Sequence, residues 1–196
     1  MTEHYYTSAP TSEHEERHFN HVFFGKVLRF KTDAGVFSKQ HIDPGSELLC
    51  SALPEDIAGR VLDMGCGWGA MTILTLARFA QVQVTMADVN ERALALAKEN
   101  VAANRMQAQA VLSDGFAGVE GEFDVVITNP PIRAGKAVIY KMFEDAKEHL
   151  TDGGRLFLVI RKQQGAPSAL KFLKELYAKA EVIERDGGYW IIQCTK

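Results

Sequence analysis

Between Val61 and Gly69 the chain reads Val-Leu-Asp-Met-Gly-Cys-Gly-Trp-Gly, and this run limits the fold more than any other stretch. An apolar strand ends at Met64 and meets glycines at three alternate positions, Gly65, Gly67 and Gly69. Helical spacing then follows at Ile73, Leu74, Ala77 and Phe79. Glycines at such a corner let the backbone turn sharply and bring it close to a ligand with no Cβ in the way. A strand that turns at once into a helix is the opening of a βαβ unit, and such units build parallel sheets. In open sheets of that kind, ligands sit beyond the carboxyl ends of the strands.

The remaining pattern extends the same alternation. Arg60–Met64, Val82–Ala87, Ala108–Leu112, Phe123–Thr128 and Arg155–Ile160 read as strands, the last with the continuous apolar run of a strand buried on both faces. Between them lie helices, one capped by Asn90 and one from Lys136 to Leu150 that ends before Asp152-Gly153-Gly154. Pro167 sits near the first turn of a last helix reaching about Ala178. Val182–Arg185 and Tyr189–Cys194 flank Asp186-Gly187-Gly188 and predict a closing hairpin. The expected fold is therefore α/β and Rossmann-like. It has a mostly parallel seven-stranded sheet, a C-terminal antiparallel hairpin and helices on both faces. Before it, the first twenty residues read as a polar arm, and Phe23–Phe37 as a β-hairpin turning at Thr32-Asp33-Ala34-Gly35. Ser46 is the expected cap of a short helix. Residues 1–45 are accordingly an extension, and residues 46–196 the main domain.

A chain of 196 residues suits one such domain. Its three cysteines, Cys50, Cys66 and Cys194, form no CxxC pair, which fits a reducing, cytoplasmic setting and no disulfide framework. No apolar run is long enough for a membrane span, and the polar start does not resemble a signal peptide. The net charge of −3 gives the whole chain no basic footprint. Lys26, Arg29, Lys31 and Lys39 bracket the hairpin, however, and Arg133, Lys136, Arg161 and Lys162 lie near strand ends. Together they could form a phosphate-contacting rim, although each alone reads as solvated charge.

Two sets of polar residues carry chemistry. Gly65, Gly67 and Ala70 satisfy a dinucleotide-binding pattern, G-x-G-x-x-A, but Asp63 stands two residues before the first glycine. A pyrophosphate gains nothing from a carboxylate there, whereas the ammonium of a methionine moiety can pair with it directly or through water. Asp88 ends the second strand about twenty residues on, where an acidic group binds ribose hydroxyls. Asp114 follows the third strand and can accept from an adenine amino group. The three carboxylates match the three polar parts of S-adenosyl-L-methionine. The second set is Asn129-Pro130-Pro131, directly after the fourth strand. The Asn129 side-chain oxygen and the Pro130 carbonyl can hold the two N–H groups of an exocyclic amine and aim its lone pair. The prolines stiffen the loop and push Asn129 into extended geometry.

With these residues in view, Val61–Gly69, Asp88 and Asp114 resemble the binding signature of class I S-adenosylmethionine-dependent methyltransferases. Asn129-Pro130-Pro131-Ile132-Arg133-Ala134-Gly135 is similar to the loop of the small-subunit ribosomal RNA guanine-N2 methyltransferases, with Ile132 at a position that is usually aromatic. Gly35-Val36-Phe37-Ser38 and Asp43-Pro44-Gly45-Ser46 resemble the lead-in of their catalytic domain. The resemblance implies a cofactor site at Asp63, Met64, Gly65, Cys66, Gly67, Asp88, Val89, Asp114, Gly115 and Asn129. It implies catalysis at Asn129, Pro130 and Pro131, acceptor contacts from Phe37, Ile132, Arg133 and Lys136, and no metal. The implied partner is RNA, ribosomal or within a ribosomal subunit. Protein-glutamine methyltransferases use a similar loop, and a non-catalytic RNA-binding factor on the same fold is a further alternative. His14-Glu15-Glu16-Arg17-His18 also spells H-E-x-x-H, but its polar surroundings suit a solvated arm better than a zinc protease.

Overall fold

The computed structural model describes residues 15–34, 36, 38 and 40–196. Phe37, His14, Gly35 and Lys39 lie outside the described residues, and so do the expectations resting on them.

The chain opens with an antiparallel hairpin, β1 (Arg17–Phe23) and β2 (Lys26–Thr32), placed one strand earlier than its sequence suggested. The turn is Phe24-Gly25, both with positive φ (46° and 73°), which matches the right-handed twist of the flanking strands. The polar appearance of residues 17–20 hides a strand because only alternate side chains, Phe19, His21 and Phe23, face inward. Thr32 and Asp33 are buried at the strand end and do not form an open turn. Asp33 receives the Arg92 guanidinium, whose Nε lies 2.9 Å from Oδ2. Helix α1 (Pro44–Ala52) follows. Its cap is Asp43 and not Ser46: Pro44 takes the first helical position, and the Asp43 carboxylate accepts from the Ser46 N–H at 2.9 Å.

The alternating part is β3 (Arg60–Met64), α2 (Ala70–Arg78), β4 (Gln83–Asp88), α3 (Glu91–Ala103), β5 (Gln109–Leu112), β6 (Phe123–Thr128), α4 (Lys136–Glu148), β7 (Leu150–Arg161), α5 (Ala166–Leu176), β8 (Lys179–Asp186) and β9 (Tyr189–Thr195). Helix α4 stops before Leu150, because that residue pairs with Phe123 and starts β7. Seven strands form one sheet in the order β5-β4-β3-β6-β7-β9-β8. Only β9 runs against its neighbours, so the closing hairpin slots its second strand between β7 and β8. An all-parallel dinucleotide-binding sheet has no such strand.

Alternation along the strands divides the core. Val61, Val125, Ile127, Phe157 and Val159 face α1, α2, α3 and the hairpin. Leu62, Met64, Val126, Leu156 and Leu158 face α4 and α5 through Ile139, Phe143 and Leu173. Two asparagines one helical turn apart bind the hairpin to α3. Asn100 accepts the Lys31 N–H (2.7 Å) and donates to the Lys31 carbonyl (2.8 Å). Asn104 does the same for Arg29 at 2.9 and 2.7 Å. Their amides thus complete the open edge of β2 in place of another strand.

Candidate functional site

A cleft of about 1520 Å³ opens where β3, β4, β5 and β6 end. It has a glycine end, formed by the loops after β3, β4 and β5, and an asparagine end, formed by the loop after β6 with the start of α1.

At the glycine end the turn after β3 is held from within. The Gly65 and Cys66 N–H groups donate to the Ala87 carbonyl at 2.8 and 3.1 Å, and the Gly67 N–H donates to Asp88 Oδ2 at 2.7 Å. A phosphate-binding turn instead aims its N–H groups at the ligand. With these donors engaged and a carboxylate in their midst, the turn is not an anion cradle. Gly65 and Gly67 have φ of 72° and 55°, and a Cβ on either would meet nothing within 4 Å. Both line the cleft, so a side chain there would fill ligand space. Gly69 has a different duty: its Cβ would come within 3.1 Å of Ala97 in α3.

The carboxylates are placed unequally. Asp88 lines the cleft, accepts from Gly67 and from the Asn90 N–H (2.8 Å), and is held above the ordinary carboxylate range by burial. Asp114 is exposed at the cleft, beside Gly115. Asp63 is fully buried beneath the turn and is not part of the cleft wall. Its Oδ2 accepts from the Thr72 hydroxyl at 2.7 Å, while Oδ1 has no hydrogen-bond partner. Burial, with a smaller push from Asp88, raises this carboxyl to about 7 against the relief given by Thr72. Met64, Cys66 and Val89 also line the cleft. Burial raises the Cys66 thiol well above its usual range, which makes it a poor nucleophile. Trp68 both lines the cleft and packs edge-on against Phe19 and Phe30.

At the asparagine end, Asn129, Pro130, Pro131, Ile132 and Arg133 all line the cleft. The Pro131 carbonyl is engaged by the Ala134 N–H at 2.8 Å, inside a short 3-10 turn over Ile132–Ala134. The Asn129 Nδ2 donates to Asp43 Oδ2 (3.1 Å) and to Ser46 Oγ (2.9 Å), both on the cleft wall. Beyond them, the Arg161 guanidinium lies 4.4 Å from the Tyr189 ring centroid, and the two side chains also share a hydrogen bond. Tyr189 in turn lies so near Gly45 that a Cβ there would come within 2.7 Å of its ring.

Thus the structure brings the expected residues to one cleft, apart from Asp63 below it, Lys136, and Phe37, which lies outside the described residues. Lys136 is directed over the Tyr140 ring (4.9 Å) and does not line the cleft. The expected basic rim is also smaller. Arg133 and Arg161 reach the cleft, whereas Lys26 binds the Ala77 carbonyl and Lys31 pairs with Glu16 and Glu99. Asp43, Ser46 and Tyr189 were not expected as lining residues. Asp43-Pro44 could have signalled a helix start, but nothing local points to Tyr189, which only the antiparallel β9 brings to this edge. His18, the second histidine of the zinc-like pentad, lies on a strand, where the helical spacing of a zinc site is lost.

Comparison with known proteins agrees with this fold. The family described as methyltransferase small domain matches residues 27–193. The Bacillus subtilis "uncharacterized protein YbxB" is 40% identical over the full length of both chains. A "ribosomal RNA small subunit methyltransferase C" from Pasteurella multocida is 39% identical over 67% of this chain and 42% of its own. A T. thermophilus 16S rRNA N2 methyltransferase, solved with AdoMet and guanosine, superposes with a TM-score of 0.83 at 28% identity, covering 96% of this chain and 52% of that one. The chain therefore spans about half the length of these two named methyltransferases.

Proposed function

We propose that this chain, which belongs to the methyltransferase small domain family, moves a methyl group from S-adenosyl-L-methionine to an exocyclic amine, N2 of a guanine in RNA. The observation that carries the reading is the acceptor geometry at the asparagine end, beside an open, glycine-floored recess in the same cleft. The named relatives, which act on small-subunit ribosomal RNA, support the choice of RNA and of guanine N2.

The residues fit the cofactor. Gly65 and Gly67 leave the recess clear, Asp88 and Asp114 offer carboxylates for ribose and adenine, and Met64, Cys66, Val89 and Gly115 shape the wall. Asp63, with one carboxylate oxygen unpartnered and its carboxyl raised to about 7 by burial, would give up its proton and pair, directly or through water, with the ammonium of the amino-acid moiety when the cofactor binds. The bound cofactor supplies an electrophilic sulfonium methyl. The chain's own part is to hold the nucleophile. The amine lone pair is delocalised into the base, and two acceptors on its N–H groups favour a more tetrahedral nitrogen. The Asn129 Oδ1 and the Pro130 carbonyl are those acceptors. Most of the acceleration then comes from fixing the amine in line. The methylated amine is acidic, so no strong base is needed, and none lies in the loop. Ile132 covers one face of the base where an aromatic would stack, and Arg133 and Arg161 meet backbone phosphates.

The test is tritiated-methyl transfer to the RNA and protein fractions of small ribosomal subunits from cells lacking this gene, followed by nucleoside and amino-acid analysis. Counts should appear in N2-methylguanosine. Counts only in protein glutamine would replace the acceptor assignment. The Asn129→Ala variant should lose turnover by about 100- to 1000-fold while keeping cofactor affinity.

A further inference from the structure

We infer that Asp43 and Ser46 are positioning residues that lock the Asn129 amide in one of its two orientations, so that Oδ1 and not Nδ2 faces the acceptor. This rests on the reading of Asn129 as the amine-holding residue. The two ends of an asparagine amide are nearly equal in size but opposite in function: one accepts, the other offers two donors. A half-turn about the last side-chain bond would convert the site from one that holds N–H groups to one that repels them. Ser46 cannot decide between these, because a hydroxyl serves as donor or acceptor. Asp43 can. An ionised carboxylate accepts only, so an oxygen 3.1 Å from Nδ2 becomes a repulsive contact if the amide turns over.

Three features make this a fixed reference point. Asp43 Oδ2 is also tied to the Ser46 N–H, as the cap of α1. That helix is anchored in the core by Leu49 and Cys50, both fully buried. Ser46 is itself buried and takes Nδ2 at 2.9 Å, so both Nδ2 hydrogens have partners and Oδ1 is the polar atom left for the cleft. The partners stand 86 and 83 positions from Asn129 in the chain, so the orientation depends on tertiary structure and not on the loop alone. The consequence for substrate class is direct. A nucleophile must bring its own hydrogens, as an exocyclic amine or a primary amide does, and a lone-pair-only ring nitrogen is turned away.

The informative variant is Asp43→Ala, which removes the one oxygen that serves both the Ser46 N–H and Asn129 Nδ2, set beside Asp43→Asn, whose cap-holding oxygen can keep both bonds. Methyl transfer to small-subunit ribosomal RNA from the deletion strain should show kcat lower by about 100-fold in Asp43→Ala, the penalty of a misdirected reacting group, and largely restored in Asp43→Asn. KM for S-adenosylmethionine should stay at the wild-type value in both, and the melting temperature should fall only in Asp43→Ala, which loses the cap. Ser46→Ala, which keeps the carboxylate, should lose about 10-fold, since one of the two tethers remains. In nitrogen-edited spectra of the wild-type protein, the Asn129 side-chain protons should exchange slowly with water, and in Asp43→Ala they should shift and exchange faster. If Asp43→Ala turns over like wild type while Asn129→Ala is dead, the positioning role is overturned and the amine-transfer reading stands. If Asn129→Ala is active, that reading fails and takes this inference with it. Fast exchange of the Asn129 amide in the wild-type protein overturns the inference whichever variants fold.

Discussion

The glycine end and the asparagine end of the cleft sit on neighbouring strands, yet they are held by different kinds of force. At the glycine end the shape comes mostly from the backbone: positive φ angles, N–H groups bonded to the Ala87 carbonyl and absent side chains, with the Asp88 carboxylate and the Asn100 amide as side-chain ties. Almost everything needed lies within one strand–turn–helix unit and the strand beside it. At the asparagine end the backbone supplies a stiff loop, but the direction of its one amide is imposed by side chains from α1, far away in sequence. A backbone-built recess varies little with surface substitutions. A side-chain-built one can be retuned by a single change, which suits the part of the site that chooses the acceptor.

That contrast can be strained from both sides. The largest effect belongs to Asp63, beneath the glycine end. Its folded-state carboxyl lies near 7, against an ordinary 3.8. The folded protein therefore holds a proton that the unfolded chain gives up, so stability falls as pH rises through that window and levels off above it. From pH 5 to pH 8 the wild type should lose about 3 kcal/mol relative to the Asp63→Asn variant, measured by urea denaturation at each pH. Parallel curves would mean that the charge is relieved by something other than Thr72. Next comes Asp88→Ala, which strips the acceptor from the Gly67 and Asn90 N–H groups as well as the expected ribose contact. Cofactor affinity by calorimetry should fall about 30-fold, near 2 kcal/mol, and an unchanged affinity would remove Asp88 from the cofactor site. Asn100→Ala tests a side-chain tether that joins β2 to the turn after β3, because the same amide donates to the Trp68 carbonyl at 2.9 Å. It should cost about 1–2 kcal/mol and speed amide exchange at Lys31 while leaving Gly65 protected. The smallest change is expected at Lys136, whose alanine variant should stay within about 0.5 kcal/mol of wild type in RNA affinity and stability. A larger loss would return it to the acceptor surface.

The same contrast explains what the sequence made legible. The run Val61–Gly69, the strand periodicity and Asn129-Pro130-Pro131 are local patterns, and each landed where expected on the sheet. Asp43 was visible as part of a turn, but its bond to Asn129 requires β6 and α1 to meet. Asn100 and Asn104 read as ordinary polar positions of a helix, because their partners are backbone groups of a strand about seventy residues earlier. The hairpin was misplaced for a related reason. Phe24-Gly25 carries a turn that a bulky residue seldom starts, whereas Asp33-Ala34-Gly35 looks more like one. Packing of Phe23, Leu28 and Phe30 into the main core decides the register instead.

The reversed direction of β9 has one more effect. Because it runs against the sheet, its first residue, Tyr189, emerges at the same edge as the last residues of its neighbours, and the tight turn at Gly187-Gly188 hangs beside the acceptor end. Lengthening that turn would extend the wall of the cleft without disturbing a single rung of the ladder below. For descendants of this chain, or for anyone redesigning it, residues 187–188 are a place where reach toward a larger acceptor can grow while the machinery behind stays as it is.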